Sequence, residues 1–384
     1  MAERNLDLLR WIEYVYEHRP RRLSFDLERG LDLAAWQGTV REALVAAMHG
    51  WPEETVPLEP EVTEEHDEGQ WARRRVLFQS EAMMTVPCWL LVPKGIRAGE
   101  RRPGIMALHG HGNGKDDVVG LDHGDADRRS NIEAHNYDYA RQFAERGYVV
   151  LAPDHRNFGE RRYASERLGQ RDPCNIMMLK AELLGRNMLL CNVWDARRGI
   201  DYLQSRPEVD PERIGAVGLS YGGTMTLWLA ALDERIRAAC VSCYVSRFGA
   251  YALAMDNTCG VQTPSCFLEY LDEMWELAAL IAPRPLLVEN GKADAGFPIE
   301  DSLTQHAQIA RVYEVVGVPE RADFDVFDGG HEFSGRKAFD WFARWLDWHE
   351  CAARSTVSCA QAGLRGPGAI SPNGAWCPDF SVIH

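Results

Sequence analysis

Apolar positions along this chain change their period near Arg73. Before that point Leu8, Leu9, Ile12 and Val15 recur at helical spacing, and a second periodic stretch runs from Leu31 to Met48. Pro52, Pro57 and Pro60 then break the pattern. Residues 1–70 are therefore expected to form a helical N-terminal extension, packed on the main domain or used as a dimerisation arm. Beyond it, short apolar runs alternate with amphipathic stretches, as in a mostly parallel sheet joined by crossover helices. Eight runs read as strands: Arg75–Phe78, Val86–Val92, Gly104–Leu108, Tyr148–Ala152, Ile214–Gly218, Ala238–Val245, Leu286–Glu289 and Phe324–Phe327. Helices are expected over Tyr137–Arg146, closed by Gly147, and over Asn187–Gln204 and Thr224–Leu232. A last helix starts near Gly335, with Ala338, Phe339, Phe342, Trp345 and Leu346 on one apolar stripe.

The pattern predicts an α/β fold, doubly wound around an eight-stranded, mostly parallel sheet, over residues 71–350. Residues 246–280 interrupt the alternation and carry Tyr251, Met255, Phe267, Tyr270 and Trp275, which suggests a cap over a site. Residues 351–384, rich in Gly, Pro, Ser and Ala, are expected to be a flexible tail.

Composition narrows the function classes. The chain has 384 residues, 46% of them hydrophobic and 26% charged, enough for a large core and incompatible with wholesale disorder. Lysine and arginine total 42 against 57 acids, a net charge of −15, which disfavours nucleic-acid and anionic-membrane partners. The expected partner is a small-molecule substrate, and a homo-oligomer remains open. The N-terminus lacks the basic and apolar regions of a secretory signal, and no stretch approaches the roughly 18 apolar residues of a spanning helix. The ten scattered cysteines read as reduced thiols, so a cytoplasmic protein is expected.

Gly218-Leu219-Ser220-Tyr221-Gly222-Gly223 places a serine between a predicted strand and a predicted helix. Such a turn strains the backbone of the nucleophile and requires small neighbours, hence glycines two before and two after. A serine hydroxyl needs a base, and the base needs an orienting acid. Asp294 follows the predicted strand Leu286–Glu289, and His331 lies in a glycine loop after Phe324–Phe327, so they are the candidate acid and base. Asp323, Asp325 and Asp328 lie on or beside the strand of His331 and are expected to face solvent. An oxyanion hole would use the Tyr221 N–H and, from His109-Gly110-His111-Gly112-Asn113-Gly114, the His111 N–H, with Gly110 or Gly112 as neighbours.

Three patterns in that loop fail. His109-x-His111 lacks the further Asp and His ligands of a metallohydrolase, Gly110-x-Gly112-x-Gly114 has the wrong spacing for a dinucleotide loop, and Gly114-Lys115-Asp116 lacks the Ser/Thr of a phosphate loop. Cys240 and Cys243, three apart in a predicted strand, point to opposite faces and read as core. No metal or organic cofactor is expected.

With these residues assembled, the chain resembles the α/β-hydrolase superfamily, and within it the dienelactone-hydrolase-like and acetyl-xylan-esterase-like serine esterases. The resemblance spans residues 73–350. It rests on Leu108-His109-Gly110-His111-Gly112, on the run from Ala152-Pro153-Asp154-His155-Arg156 to Gly159-Glu160-Arg161, on the Ser220 turn, on Ala282-Pro283-Arg284-Pro285 leading to Asp294, and on Gly330-His331. It implies a carboxylic-ester hydrolase using Ser220, Asp294 and His331 through an acyl-enzyme. Dienelactone hydrolase itself carries cysteine where this chain has Ser220, so lactone chemistry is not implied. A carbon–carbon bond hydrolase or a peptidase would use the same triad, and a binding protein on an inactive scaffold would lack serine reactivity. Arg156 and Glu160 are expected to pair below the site.

Overall fold

The computed structural model describes residues 4–27 and 32–346; the tail expected over 351–384 and the helix-end His349 lie outside them. The central sheet is built from β1 (Glu61–Asp67), β2 (Trp71–Glu81), β3 (Met84–Pro93), β4 (Arg102–Leu108), β5 (Val149–Pro153), β6 (Val209–Leu219), β7 (Ile236–Ser242), β8 (Leu286–Gly291) and β9 (Ala322–Phe327). Their order is β1-β2-β3-β5-β4-β6-β7-β8-β9. The pairs from β1 through β3 to β5 are antiparallel, and those from β5 to β9 are parallel.

Both faces of the sheet are covered, which is why its central strands read as unbroken apolar runs. Every residue of β4 is buried. Met106 and Leu108 join the core beneath helices 188–204 and 221–232, while Ile105 and Ala107 face Tyr139, Phe143 and Phe342 on the other side. Each fully buried Leu, Val or Phe here stabilises the fold by about 1.5–3 kcal/mol. The last helix, Ala338–Trp345, buries Ala338, Trp341 and Phe342 against the sheet.

Eight strands were expected and the described residues carry nine. The additional one, β1, reads Glu-Val-Thr-Glu-Glu-His-Asp and is exposed at every position, so no apolar alternation marks it. It is held by its antiparallel ladder to β2 and by cross-strand ion pairs, Glu65 to Arg74 at 3.2 Å and Glu64 to Arg75 at 3.7 Å. The residues before it are helical over Leu8–Glu17 and Leu33–Ala47. Tyr16 Oη donates to Glu273 at 2.6 Å, Arg19 pairs with Asp272 at 2.8 Å, and Gln37 Nε2 donates to the Ala279 carbonyl at 2.8 Å. These helices thus contact residues 272–279. Among the described residues no helix is long and apolar enough to cross a membrane.

Candidate active site

Ser220 caps the helix Tyr221–Leu232 directly after β6, with φ +62° and ψ −122°. A non-glycine residue pays for this conformation, and the surroundings hold it there. Its N–H donates to the Ser242 carbonyl at 3.0 Å, and a Cβ on Gly222 would overlap the Leu108 carbonyl. Only glycine lets the helix start so close to β4. The helix N-terminus, with the Tyr221 N–H, is thereby aimed at the space beyond Ser220.

Asp294 follows β8 and His331 follows β9, so both stand at the same carboxyl-terminal rim as Ser220. His331 Nδ1 and Asp294 Oδ2 are 2.7 Å apart, and the Gly296 N–H donates to Asp294 Oδ1 at 2.9 Å. The Asp294 side chain is 1% exposed and that of His331 34%. With the proton on Nδ1 facing the carboxylate, Nε2 keeps its lone pair for a reacting proton. Phe297 stacks on the imidazole at 5.8 Å between centroids. Ser220 is tied to this pair through β7: Ser242 accepts from Ser220, and the thiol of the next residue, Cys243, donates to the Glu332 carbonyl at 3.4 Å.

On the other side stands the loop after β4. The Gly110 N–H donates to Tyr137 Oη, so it is occupied, and the Asn113 N–H donates to Asp117 at 2.9 Å. The His111 side chain is exposed and packs on Phe158 and Tyr221 at 5.4 and 5.3 Å. His109 is buried beneath it. The His155 N–H donates to His109 Nε2 at 3.0 Å, so Nδ1 carries the proton and donates to the Gly110 carbonyl at 2.7 Å. Burial lowers the His109 pKa, and it pushes that of His155 further down, so both rings stay neutral. The loop's far end is pinned by buried Asp154, which accepts from the Lys115 N–H at 2.7 Å and Lys115 Nζ at 3.0 Å. Tyr137, Asp154 and His155 thus position the loop. Sequence reasoning assigned them no such part, because their partners are distant along the chain.

Several expectations need correction. Arg156 does not pair with Glu160. Its guanidinium grips Asp195 at 2.8 and 2.7 Å and reaches Glu81 at 2.7 Å, while Glu160 binds Lys115 at 2.6 Å and also Arg75. The chain turns at Gly159–Arg161, and Glu160 is turned to Lys115 and Arg75. Burial would raise the Asp195 pKa, yet Arg156 and Arg161 outweigh it and hold the carboxyl below its usual range. Asp325 does not face solvent: it is 1% exposed and accepts from Ser334 Oγ at 2.6 Å and from Arg336, because residues 334–336 fold over β9. Asp328 is exposed on Lys292, and Asp323 is part-buried beside Lys337. Strand β7 ends at Ser242, so Cys243, with φ +47°, lies past it rather than within it; both Cys240 and Cys243 are buried.

Two groups of three possible ligands occur among the described residues, Cys243–Asp294–His331 and His111–Cys174–Cys259, each with its atoms within 4.8 Å of one another. In the first, the thiol donates to carbonyls and burial raises its pKa to about 12, while Asp294 and His331 satisfy each other. In the second, the hydrogen bond from Cys259, then His111 and Asn157, lowers the Cys174 pKa.

Glu289, buried in β8 next to Ser242, carries a testable pH dependence. Burial raises its carboxyl to about 8, so it is neutral in the fold when the unfolded chain has already ionised it. Its contribution to stability is fully present below about pH 4.5 and declines as pH rises to about 8, with a slope of up to ~1.4 kcal/mol per pH unit. Glu289→Gln is expected to flatten that decline. Melting temperatures of both proteins from pH 5 to 8.5 measure it; parallel curves would refute the burial argument.

The model of the Dienelactone hydrolase family matches residues 129–264. The Bacillus subtilis (strain 168) protein "Putative hydrolase YtaP" is 30% identical over 227 residues, 57% of this chain and 69% of that protein. Dipeptidyl-peptidase 5 of Porphyromonas gingivalis is 25% identical over 224 residues, 54% of this chain but 30% of its own length. Among solved structures, a "putative acetyl xylan esterase" from Bacteroides fragilis NCTC 9343 superimposes with TM-score 0.71 at 18% identity, covering 84% of this chain and 83% of that one. A glucuronoyl esterase from Solibacter usitatus gives TM-score 0.60 at 19% identity, covering 86% and 96%. At these identities the structural likeness is one of fold, an α/β-hydrolase.

Proposed function

This chain belongs to the dienelactone hydrolase family, and we propose that it is a serine hydrolase cleaving carboxylic esters through Ser220, His331 and Asp294. The observation that carries this reading is the 2.7 Å contact of His331 with Asp294, at the same sheet rim as the strained Ser220. Ser220 Oγ attacks the ester carbonyl and its proton passes to His331 Nε2. The tetrahedral oxyanion is held by the N–H groups of Tyr221 and His111, since Tyr137 already occupies that of Gly110. His331 then protonates the leaving alcohol. It next takes a proton from water, whose oxygen attacks the acyl-enzyme and releases the acid with Ser220 restored.

Residues 246–280 are read as the cap that shapes the substrate pocket. Tyr221 Oη lies 3.4 Å from the Val261 carbonyl, and Tyr251 packs on Phe297, which itself stacks on His331. This segment therefore meets both halves of the site.

Two measurements test the assignment. A fluorophosphonate is expected to label Ser220 covalently and stop turnover, and hydrolysis of aryl esters should persist in chelator. Aryl esters of graded acyl length, acetylated sugars, aminoacyl amides and β-diketones then report the bond cleaved. Turnover confined to amides or diketones would replace the ester reading with peptidase or carbon–carbon hydrolase, and absence of any labelling would end the serine reading.

A further inference from the structure

We propose that His111, Cys174 and Cys259 form a binding site for one thiophilic divalent cation of the Zn2+ type, beside the Ser220 rim. The three side chains come from the loop after β4, from the first turn of the helix Pro173–Leu183, and from residues 246–280. One nitrogen and two sulfurs lie within 4.8 Å of one another. Tetrahedral Zn2+ with bonds of about 2.0–2.3 Å needs ligand atoms roughly 3.5 Å apart, so a contraction of at most about 1.3 Å brings the three to ligand distance. Imidazole and thiolates favour Zn2+ over Mg2+ or Ca2+, which prefer oxygen.

The surroundings suit such a site. Asn157 Nδ2 donates to Cys174 Sγ at 3.2 Å, so that sulfur already acts as an acceptor. The His111 ring is held edge-on by Phe158, and Cys259 is steadied by its neighbour, since the Gly260 N–H donates to Asn175 Oδ1 at 2.9 Å. Supports of this kind orient ligands before a cation arrives. Cys174 is buried, whereas His111 is exposed and leaves a route in from solvent. With both sulfurs bound as thiolates and any thiol proton passing to water, the doubly charged ion is neutralised, with a fourth position for water. In the Cys243–Asp294–His331 group the thiol donates to the Gly330 and Glu332 carbonyls and the carboxylate is engaged by His331 and Gly296, so that group is not proposed as a cation site.

The test uses the full chain, reduced and kept free of oxygen, with Co2+ as the probe. A thiolate-to-cobalt charge-transfer band is expected, bleached by added Zn2+. Cys174→Ala and Cys259→Ala should each lose one equivalent of that binding or weaken it more than about 100-fold, and His111→Ala should weaken it at least about tenfold. Retained melting temperature shows each variant is folded, and Cys174→Ser and Cys259→Ser replace any that is not. Cobalt binding unchanged in both cysteine variants, or no thiolate band in the wild type, would overturn the proposal. Neither readout depends on ester turnover, so a protein without esterase activity could still bind the cation.

Discussion

Ser220→Ala is expected to reduce turnover of an aryl ester by about 10⁵–10⁶-fold while leaving the melting temperature nearly unchanged. Alanine keeps the Cβ, and with it the same cost at φ +62°, so the turn, the Ser242 hydrogen bond and the start of the following helix should survive. Only the attacking oxygen is removed. What persists is attack by free water on an ester held by the oxyanion donors. Adding His331→Ala should cost little more, because a base without its nucleophile has no proton to take. Initial rates under single-turnover conditions, beside a thermal melt, decide the matter. A Ser220→Ala protein with near-native rate would mean that the reaction runs through another group.

Asp294→Asn should lower kcat by about 10⁴-fold with little change in KM. The carboxylate sits almost wholly buried, accepting from Gly296 on one oxygen and facing His331 Nδ1 with the other. An asparagine can still accept from Gly296. Its NH₂ then faces Nδ1 and forces the imidazole proton onto Nε2, so the ring presents a donor where a base is required. The imidazolium of the transition state also loses its counter-charge. Since the Asp294 side chain is buried and taken up by His331 and Gly296, binding should be preserved. A loss below about tenfold would show that something other than this carboxylate orients His331.

Much of this was legible along the chain because it depends on near neighbours. The turn at Ser220 announces itself through glycines within two residues, and β4 through β8 through apolar runs that reflect burial on both faces. Asp294 and His331 could be placed by order alone, each in a loop after a strand. The failures share one cause, which is that their partners are remote. Strand β1 has no apolar face and exists only because β2 offers it a ladder and arginines. Arg156 was matched to Glu160, four positions on, but its partner Asp195 lies 39 positions on, in a helix the chain must first form. Asp325 looked solvated until Ser334 and Arg336 folded back over it.

What the sequence by itself determined, then, is the succession of strands from β2 to β9 and which residue types stand in the loops at the sheet's carboxyl-terminal rim, since backbone strain, periodicity and turn chemistry act over a few residues. Only the tertiary structure decided which loop N–H groups remain free once Tyr137 and Asp117 have taken theirs, which carboxylates are buried and by whom, and that a histidine and two cysteines from distant segments come within 4.8 Å of one another. Those outcomes depend on separations across the fold, and hydrogen bonds and charges inside a protein act over a few ångströms, whatever the distance along the chain.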